Sequence, residues 1–123
     1  MSKVMLITGA SRGIGAATAR LAARQGYRVI VNYQRNRDAA DALVESIITL
    51  GGEALAVQAD VADQDQVRRL FAAIDERLGR LDVLVNNAGM LEQQMRLEQM
   101  SLERWQRVFA TNVYGSFLCS REA

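Results

Sequence analysis

Val4-Met5-Leu6-Ile7-Thr8-Gly9-Ala10-Ser11-Arg12-Gly13-Ile14-Gly15 decides how the rest of the chain is read. A short apolar, strand-like run passes through three glycines directly into a helical pattern. Glycine admits positive φ and lets a ligand approach without meeting a Cβ. The first turn of a helix adds unpaired N–H groups and a partial positive charge. Together these features make a phosphate site, and its position between strand and helix points to a nucleotide. A tight turn with no ligand is the alternative reading of a glycine triplet taken alone.

Working outward, strand and helix patterns alternate. Ile14, Ala17, Thr18, Leu21 and Ala22 recur at three and four residues, predicting a helix that lays this face on a sheet and ends at Gly26. Tyr27-Arg28-Val29-Ile30-Val31-Asn32 is continuous in its β-branched residues, as in a strand covered on both faces, and ends near Asn32. After the polar loop 34–38, Ala40, Leu43, Val44, Ile47 and Leu50 mark a second helix, stopped by Gly51-Gly52. A third strand, 54–59, closes on Asp60-Val61. Asp63 with Gln66 resembles a capping box for a third helix, carried by Val67, Leu70, Phe71, Ile74 and Leu78 to Gly79. Residues 82–86 form a fourth strand. From Met90 to Met100 the pattern loosens into a loop or ragged helix. Ser101 then caps a last helix with Trp105, Val108, Phe109, Asn112, Val113 and Ser116 on one stripe, which turns Asn112 inward.

Four strands, each followed by a helix, require parallel pairing, and right-handed crossovers put helices on both faces. The expected fold is therefore an α/β, doubly wound parallel sheet of Rossmann type, with residues 1–123 forming one unit without internal boundary. In such a sheet the ligand lies across the carboxyl ends of the strands, where the winding reverses. The glycine turn, Asp60 and Asn86 are expected along that edge.

Composition narrows the function classes. Half of the 123 residues are hydrophobic, and 15 basic against 14 acidic residues leave a net charge of +1 with no long block of one sign, which argues against a nucleic-acid partner. Cys119 is the single cysteine and histidine is absent, so no intramolecular disulfide can form and a metal site has few ligands to draw on. Neither a leader-like amino terminus nor an apolar run of ~20 residues is present, so a soluble, cytoplasmic chain away from the membrane is expected. Lys3 is the only lysine.

Thr8-Gly9-x-x-x-Gly13-x-Gly15, Asp60-Val61 and Asn86-Asn87-Ala88-Gly89, in this order and spacing, resemble the short-chain dehydrogenases/reductases. The likeness runs from Val4 to the end of the chain. It implies that Gly9, Ser11, Arg12, Gly13, Ile14 and Gly15 line the pyrophosphate and adenosine ribose of a dinucleotide. It further implies that Asp60 and Val61 flank the adenine, the alternative for Asp60 being a strand-end turn residue that caps locally. Asn86, Ala88 and Gly89 match the family's segment beneath the cofactor, with Asn86 tying strand four to its neighbours. Asn112, within Thr111-Asn112-Val113-Tyr114-Gly115, resembles the family asparagine that anchors a water linking the active-site lysine to solvent. A structural amide bonded to a neighbouring strand fits this position equally well.

Charge bears on the cofactor. An NAD-type site places a carboxylate roughly 20 residues after the glycines, where it accepts from the ribose 2′-hydroxyl and repels a 2′-phosphate. Here Asn32-Tyr33-Gln34-Arg35 occupies that place, and the next acid is Asp38. Arg12 and Arg35 are suited to charge-assisted bonds with a phosphate, so NADP is expected ahead of NAD.

The rest of the family's chemistry is missing from the sequence. It uses a serine, a tyrosine, and a lysine four residues after the tyrosine that lowers the phenol pKa. Tyr27, Tyr33 and Tyr114 are instead followed at that spacing by Val31, Arg37 and Leu118. Ala123 falls in the body of an expected helix, and strand four would lack its next neighbour. The chain thus reads as the amino-terminal, cofactor-holding half of an NADP-dependent oxidoreductase acting on a carbonyl or alcohol, inactive alone. The family implies a dimer or tetramer, formed in part through the helix that starts at Ser101. A non-catalytic dinucleotide-binding or interaction fragment is the alternative.

Overall fold

The computed structural model describes residues 2–89 and 96–123. Strands β1 (Val4–Ile7), β2 (Arg28–Tyr33), β3 (Glu53–Gln58) and β4 (Val83–Val85) alternate with helices α1 (Gly13–Arg24), α2 (Arg37–Thr49) and α3 (Gln64–Leu78). A 3-10 turn at Leu97–Gln99 precedes α4 (Leu102–Phe109), a π-helical turn (Ala110–Tyr114) and α5 (Gly115–Glu122). The loop or ragged helix expected for 90–100 is described only from Arg96 onward; residues 90–95 lie outside the described residues.

All the strand pairs are parallel, in the order β3-β2-β1-β4. The chain winds outward from β1 through β2 to β3, then crosses back to place β4 on the other side of β1. That reversal opens a crevice between the carboxyl ends of β1 and β4. The two sheet faces are covered by different helices, as the alternation of the central strands requires. Ile7, Val29 and Val31 join Ala19 of α1 and Leu43 and Ile47 of α2 in one core. Val4, Leu6 and Ile30 join Val67, Leu70 and Ile74 of α3 and Cys119 of α5 in the other.

One face assignment needs correction. α1 buries Gly15, Ala16, Ala19 and Ala22, whereas Ile14 is 80% and Leu21 57% exposed. The helix lies so close to the sheet that only small residues fit beneath it: a Cβ on Gly15 would overlap Asn87 Nδ2 and stand 2.9 Å from Ala10 Cα. Large apolar side chains are therefore turned outward, against the amphipathic pattern. On α2 the inward set is Ala40, Leu43 and Ile47, and Leu50 is exposed beyond the helix end. The α3 face agrees with expectation at Val67, Leu70, Phe71 and Ile74.

The expected stops and caps recur in the structure. Gly26 and Gly79 follow their helices with φ of 93° and 72°, the left-handed region that glycine tolerates. Asp63 Oδ1 accepts from the N–H groups of Asp65 (2.9 Å) and Gln66 (3.2 Å). The box is not reciprocal, however: Gln66 Oε1 accepts from the Asp60 N–H at 2.9 Å, which braces the turn after β3. The Gln66 N–H, the Gln66 side-chain amide (Nε2 to Asp63 Oδ2, 3.2 Å) and the Asp65 N–H lower the pKa of the Asp63 carboxyl from its ordinary value. At the opposite end of the sheet, Asp82 accepts from Arg80 Nε (2.9 Å) and the Val4 N–H (2.8 Å), which lowers its pKa in the same way. Both carboxylates add stability above their ordinary pKa that is lost as acid titrates them.

Candidate functional site

A cleft of about 820 Å³ runs along the carboxyl edge of the sheet. Gly9, Ser11, Arg12 and Gly13 form its middle, Tyr33, Arg35 and Asn36 one end, and Ala88, Gly89, Ala110 and Thr111 the other. Asp60, Val61 and Ala62, after β3, form part of the wall.

The glycine turn is built for close approach. Gly9 has φ of 60°, and a Cβ there would stand 2.8 Å from Ala88 Cα, so the β1 and β4 ends can meet only at a glycine. Gly13, with φ of 61°, has open space where its Cβ would be. α1 is also unlike its neighbours at its start. The side chains of Asn36, Asp63 and Ser101 cap α2, α3 and α4, each accepting a first-turn N–H. Arg12, the N-cap residue of α1, supplies no such bond, and the first turn of α1 contains no acid. Its leading N–H groups and the positive end of its dipole face the cleft, with no side-chain cap among the described residues.

Two buried polar side chains hold this turn in place. Asn32, 1% exposed, accepts from the Gly9 N–H through Oδ1 (3.1 Å) and donates through Nδ2 to the carbonyls of Val57 (3.3 Å) and Ala59 (3.1 Å). One amide thus joins the ends of β1, β2 and β3. Thr8, equally buried, accepts through Oγ1 from the N–H groups of Asn87 (3.0 Å) and Ala88 (2.9 Å), joining β1 to the segment after β4. Sequence reasoning missed Asn87. Its Nδ2 donates to the carbonyls of Thr8 (3.1 Å) and Gly9 (3.0 Å), so Asn87 makes the tie between β4 and its neighbour that was expected of Asn86. Asn86 points the other way, donating to Ser120 Oγ of α5 at 3.0 Å.

The other singled-out residues divide into those at the cleft surface and those behind it. Ser11, Arg12, Arg35, Asp60, Ala88 and Gly89 border the cleft. Val61 and Tyr33 border it too, but are buried at their strand ends, and the Tyr33 ring belongs to the α1–α2 core. Ile14 and Gly15 do not border it: Ile14 faces solvent and Gly15 packs on Asn87. Asn112 is half-buried in the π-helical turn, and its Oδ1 lies 3.4 Å from where a Gly89 Cβ would stand, at the β4 end of the cleft. Asp60 Oδ1 accepts from the Ala62 N–H at 2.9 Å, an Asx-type turn that leaves its other oxygen for a ligand.

Charge around the cleft is lopsided. Among the described residues, Arg12 and Arg35 border it near the carboxylate of Asp60, and Arg107 lines it as well. Arg107, on α4, was not singled out from the sequence because a lone helical arginine carries no motif. Cys119 offers no chemistry here: it is buried under α3, and burial pushes its thiol up to about 11.

Comparison with known proteins gives one consistent result. A family model described as short chain dehydrogenase matches residues 3–123. An uncharacterised oxidoreductase, YgfF, of Escherichia coli K12 is 51% identical over 120 residues, 98% of this chain and 49% of that protein. A 3-oxoacyl-[acyl-carrier-protein] reductase of Synechocystis is 50% identical, over 98% of this chain and 48% of its own length. Among solved structures, a doubly substituted mutant of a Serratia marcescens short-chain dehydrogenase/reductase superposes with a TM-score of 0.93 at 38% identity, over 98% of this chain and 49% of that one. The chain thus spans about half the length of the relatives it matches.

Proposed function

The chain belongs to the short-chain dehydrogenase family, and from that premise we propose that it is the cofactor-holding half of an NADP(H)-dependent oxidoreductase acting on a carbonyl or alcohol substrate. The observation that carries this reading is the start of α1, without a side-chain cap, opening into a cleft that Arg12 and Arg35 border. The half-length match to reductases and the absence of a Tyr-x-x-x-Lys sequence support a division of labour with residues outside these 123.

The groups present fit a dinucleotide. The pyrophosphate lies on the α1 amino terminus, where Gly13 leaves its approach open. Arg35 and Asn36 would border the adenosine, and the free Asp60 oxygen would be placed to accept from the adenine amine. Arg12 and Arg35 hold the 2′-phosphate. At the other end Ala88 and Gly89 present little side chain, so the second ribose can lie against the backbone. When bound, the nicotinamide supplies or accepts the hydride. Asn112 stands behind Gly89 at that end and orders the polar surroundings of the reacting centre; Asn32, Thr8 and Asn87 keep the cleft floor rigid.

A fluorescence titration with NADPH and NADH tests the reading. NADPH is expected to bind about tenfold more tightly, a preference that R35E reverses, since a carboxylate at the β2 end would repel the 2′-phosphate. Tighter binding of NADH by the unaltered chain would overturn the cofactor assignment.

An observation on the last helices favours self-association as well. Trp105, Phe109, Val113 and Phe117 recur every four residues and are all at least 37% exposed, with the Trp105 and Phe109 rings stacked at 4.7 Å. Such a stripe suits a helix-to-helix interface between two copies. Sedimentation equilibrium is expected to show a dimer or larger assembly that W105E dissociates; a monomer at every concentration would count against it.

A further inference from the structure

We propose that Gly115 is a positioning residue for the cleft: its bare Cα, seated on Val61, fixes how far the π-helical turn reaches into the dinucleotide site. This rests on the cleft being that site, and the experiment below separates the two ideas.

Gly115 has φ of −59° and ψ of −45°, ordinary helical values that any residue adopts. Its backbone therefore does not call for glycine, which within a helix is less favourable than alanine. Contact does call for it: a Cβ would stand 2.7 Å from Val61 Cγ2 and 3.3 Å from both Val61 Cβ and the Val61 carbonyl oxygen. Gly115 also closes the wide turn itself, donating its N–H to the Ala110 carbonyl five residues back. The residue that touches Val61 is thus bonded to one that borders the cleft. Ala110 and Thr111 form the cleft wall facing Gly89, and Asn112 follows them.

The two sides of the contact are unequally fixed. Val61 is buried, packed in the α3–α5 core, and follows Asp60, whose turn is braced by Gln66 and by the Ala62 N–H. The turn opposite has Val113 and Tyr114 exposed to solvent. Added bulk at Gly115 moves the less restrained partner, so Ala110 to Asn112 shift while Asp60 and Val61 stay. The disturbance falls at the Gly89 end of the cleft and spares the Arg35 end.

The test uses G115A, V61A and the double variant, with NADPH and 2′,5′-ADP as ligands and amide hydrogen exchange at 110–115 as a second readout. G115A is expected to weaken NADPH binding about tenfold, because small displacements of a preorganised wall are costly, while 2′,5′-ADP binding changes less than about threefold. Exchange at 110–115 rises in G115A. Because Val61 borders the cleft, V61A alone is the reference for the double variant: with the obstructing Cγ2 removed, adding G115A leaves exchange at 110–115 near that of V61A and weakens NADPH binding relative to V61A by less than about threefold. If G115A does not fold, the double variant alone decides, by folding with exchange near that of V61A or failing to. Equal loss of both ligands, unchanged exchange in G115A, or no rescue by V61A overturns the proposal. If the unaltered chain binds neither ligand, the dinucleotide reading and the cleft role assigned to Gly115 fall together. If it binds both while G115A behaves as wild type, only the role of Gly115 falls.

Discussion

At pH 7.5, N32D is expected to lose about 3–5 kcal/mol of folding stability, a large share of the about 5–15 kcal/mol typical of a domain. Asparagine satisfies three backbone groups at this position, accepting from Gly9 and donating to Val57 and Ala59. Aspartate keeps the acceptor but turns its second oxygen on two carbonyl oxygens, in a site almost closed to solvent. Protonated, the acid can still donate one bond to Ala59, so the fold raises its pKa above the usual ~3.9. A folded pKa above the unfolded one gives stability that is present at low pH and lost as pH rises through the folded value. The gap between N32D and the parent in urea unfolding, followed by circular dichroism, therefore narrows from pH 7.5 to pH 4.5. An equal gap at both pH values would contradict this account of Asn32.

Thr8→Val is expected to cost about 1–3 kcal/mol, since at almost unchanged shape it leaves the Ala88 N–H without its acceptor and the Asn87 N–H with only the Val85 carbonyl, at 3.0 Å. Thr8→Ser keeps the hydroxyl and retains most of that stability. Thermal denaturation of the two variants separates loss of the acceptor from loss of the methyl. If serine and valine prove equally destabilising, the hydroxyl is not what joins β1 to the segment after β4.

Both sites show what the sequence discloses and what it leaves hidden. The strand–helix alternation, the sheet direction and the caps at Asp63 and Ser101 rest on neighbours a few residues apart, which a linear reading captures. The glycine turn was legible because positive φ and close approach restrict which residue types can serve. Asn32 drew notice only as a position lacking an acid, because nothing local shows that its amide joins three strands. Asn87 and Asn86 are adjacent and chemically identical; their opposite directions follow from strand alternation at the end of β4. The inward face of α1 was misjudged because apolarity was weighed above size, when the spacing of helix and sheet admitted only glycine and alanine. The π-helical turn left no trace, since one extra residue in a helical ring breaks no sequence rule.

The bonds from Thr8 to Asn87 and Ala88 span 79 and 80 positions along the chain. This separation has a kinetic meaning. β1, β2 and β3 can pair while the polypeptide beyond residue 60 is still loose, but the floor of the cleft is absent until β4 docks beside β1. Closing so long a loop is entropically costly, and the reward comes only at contact, which makes this docking a late event in folding. On the dinucleotide reading proposed above, binding competence therefore arises abruptly when β4 docks, and a nucleotide captured there holds β4 in its seat.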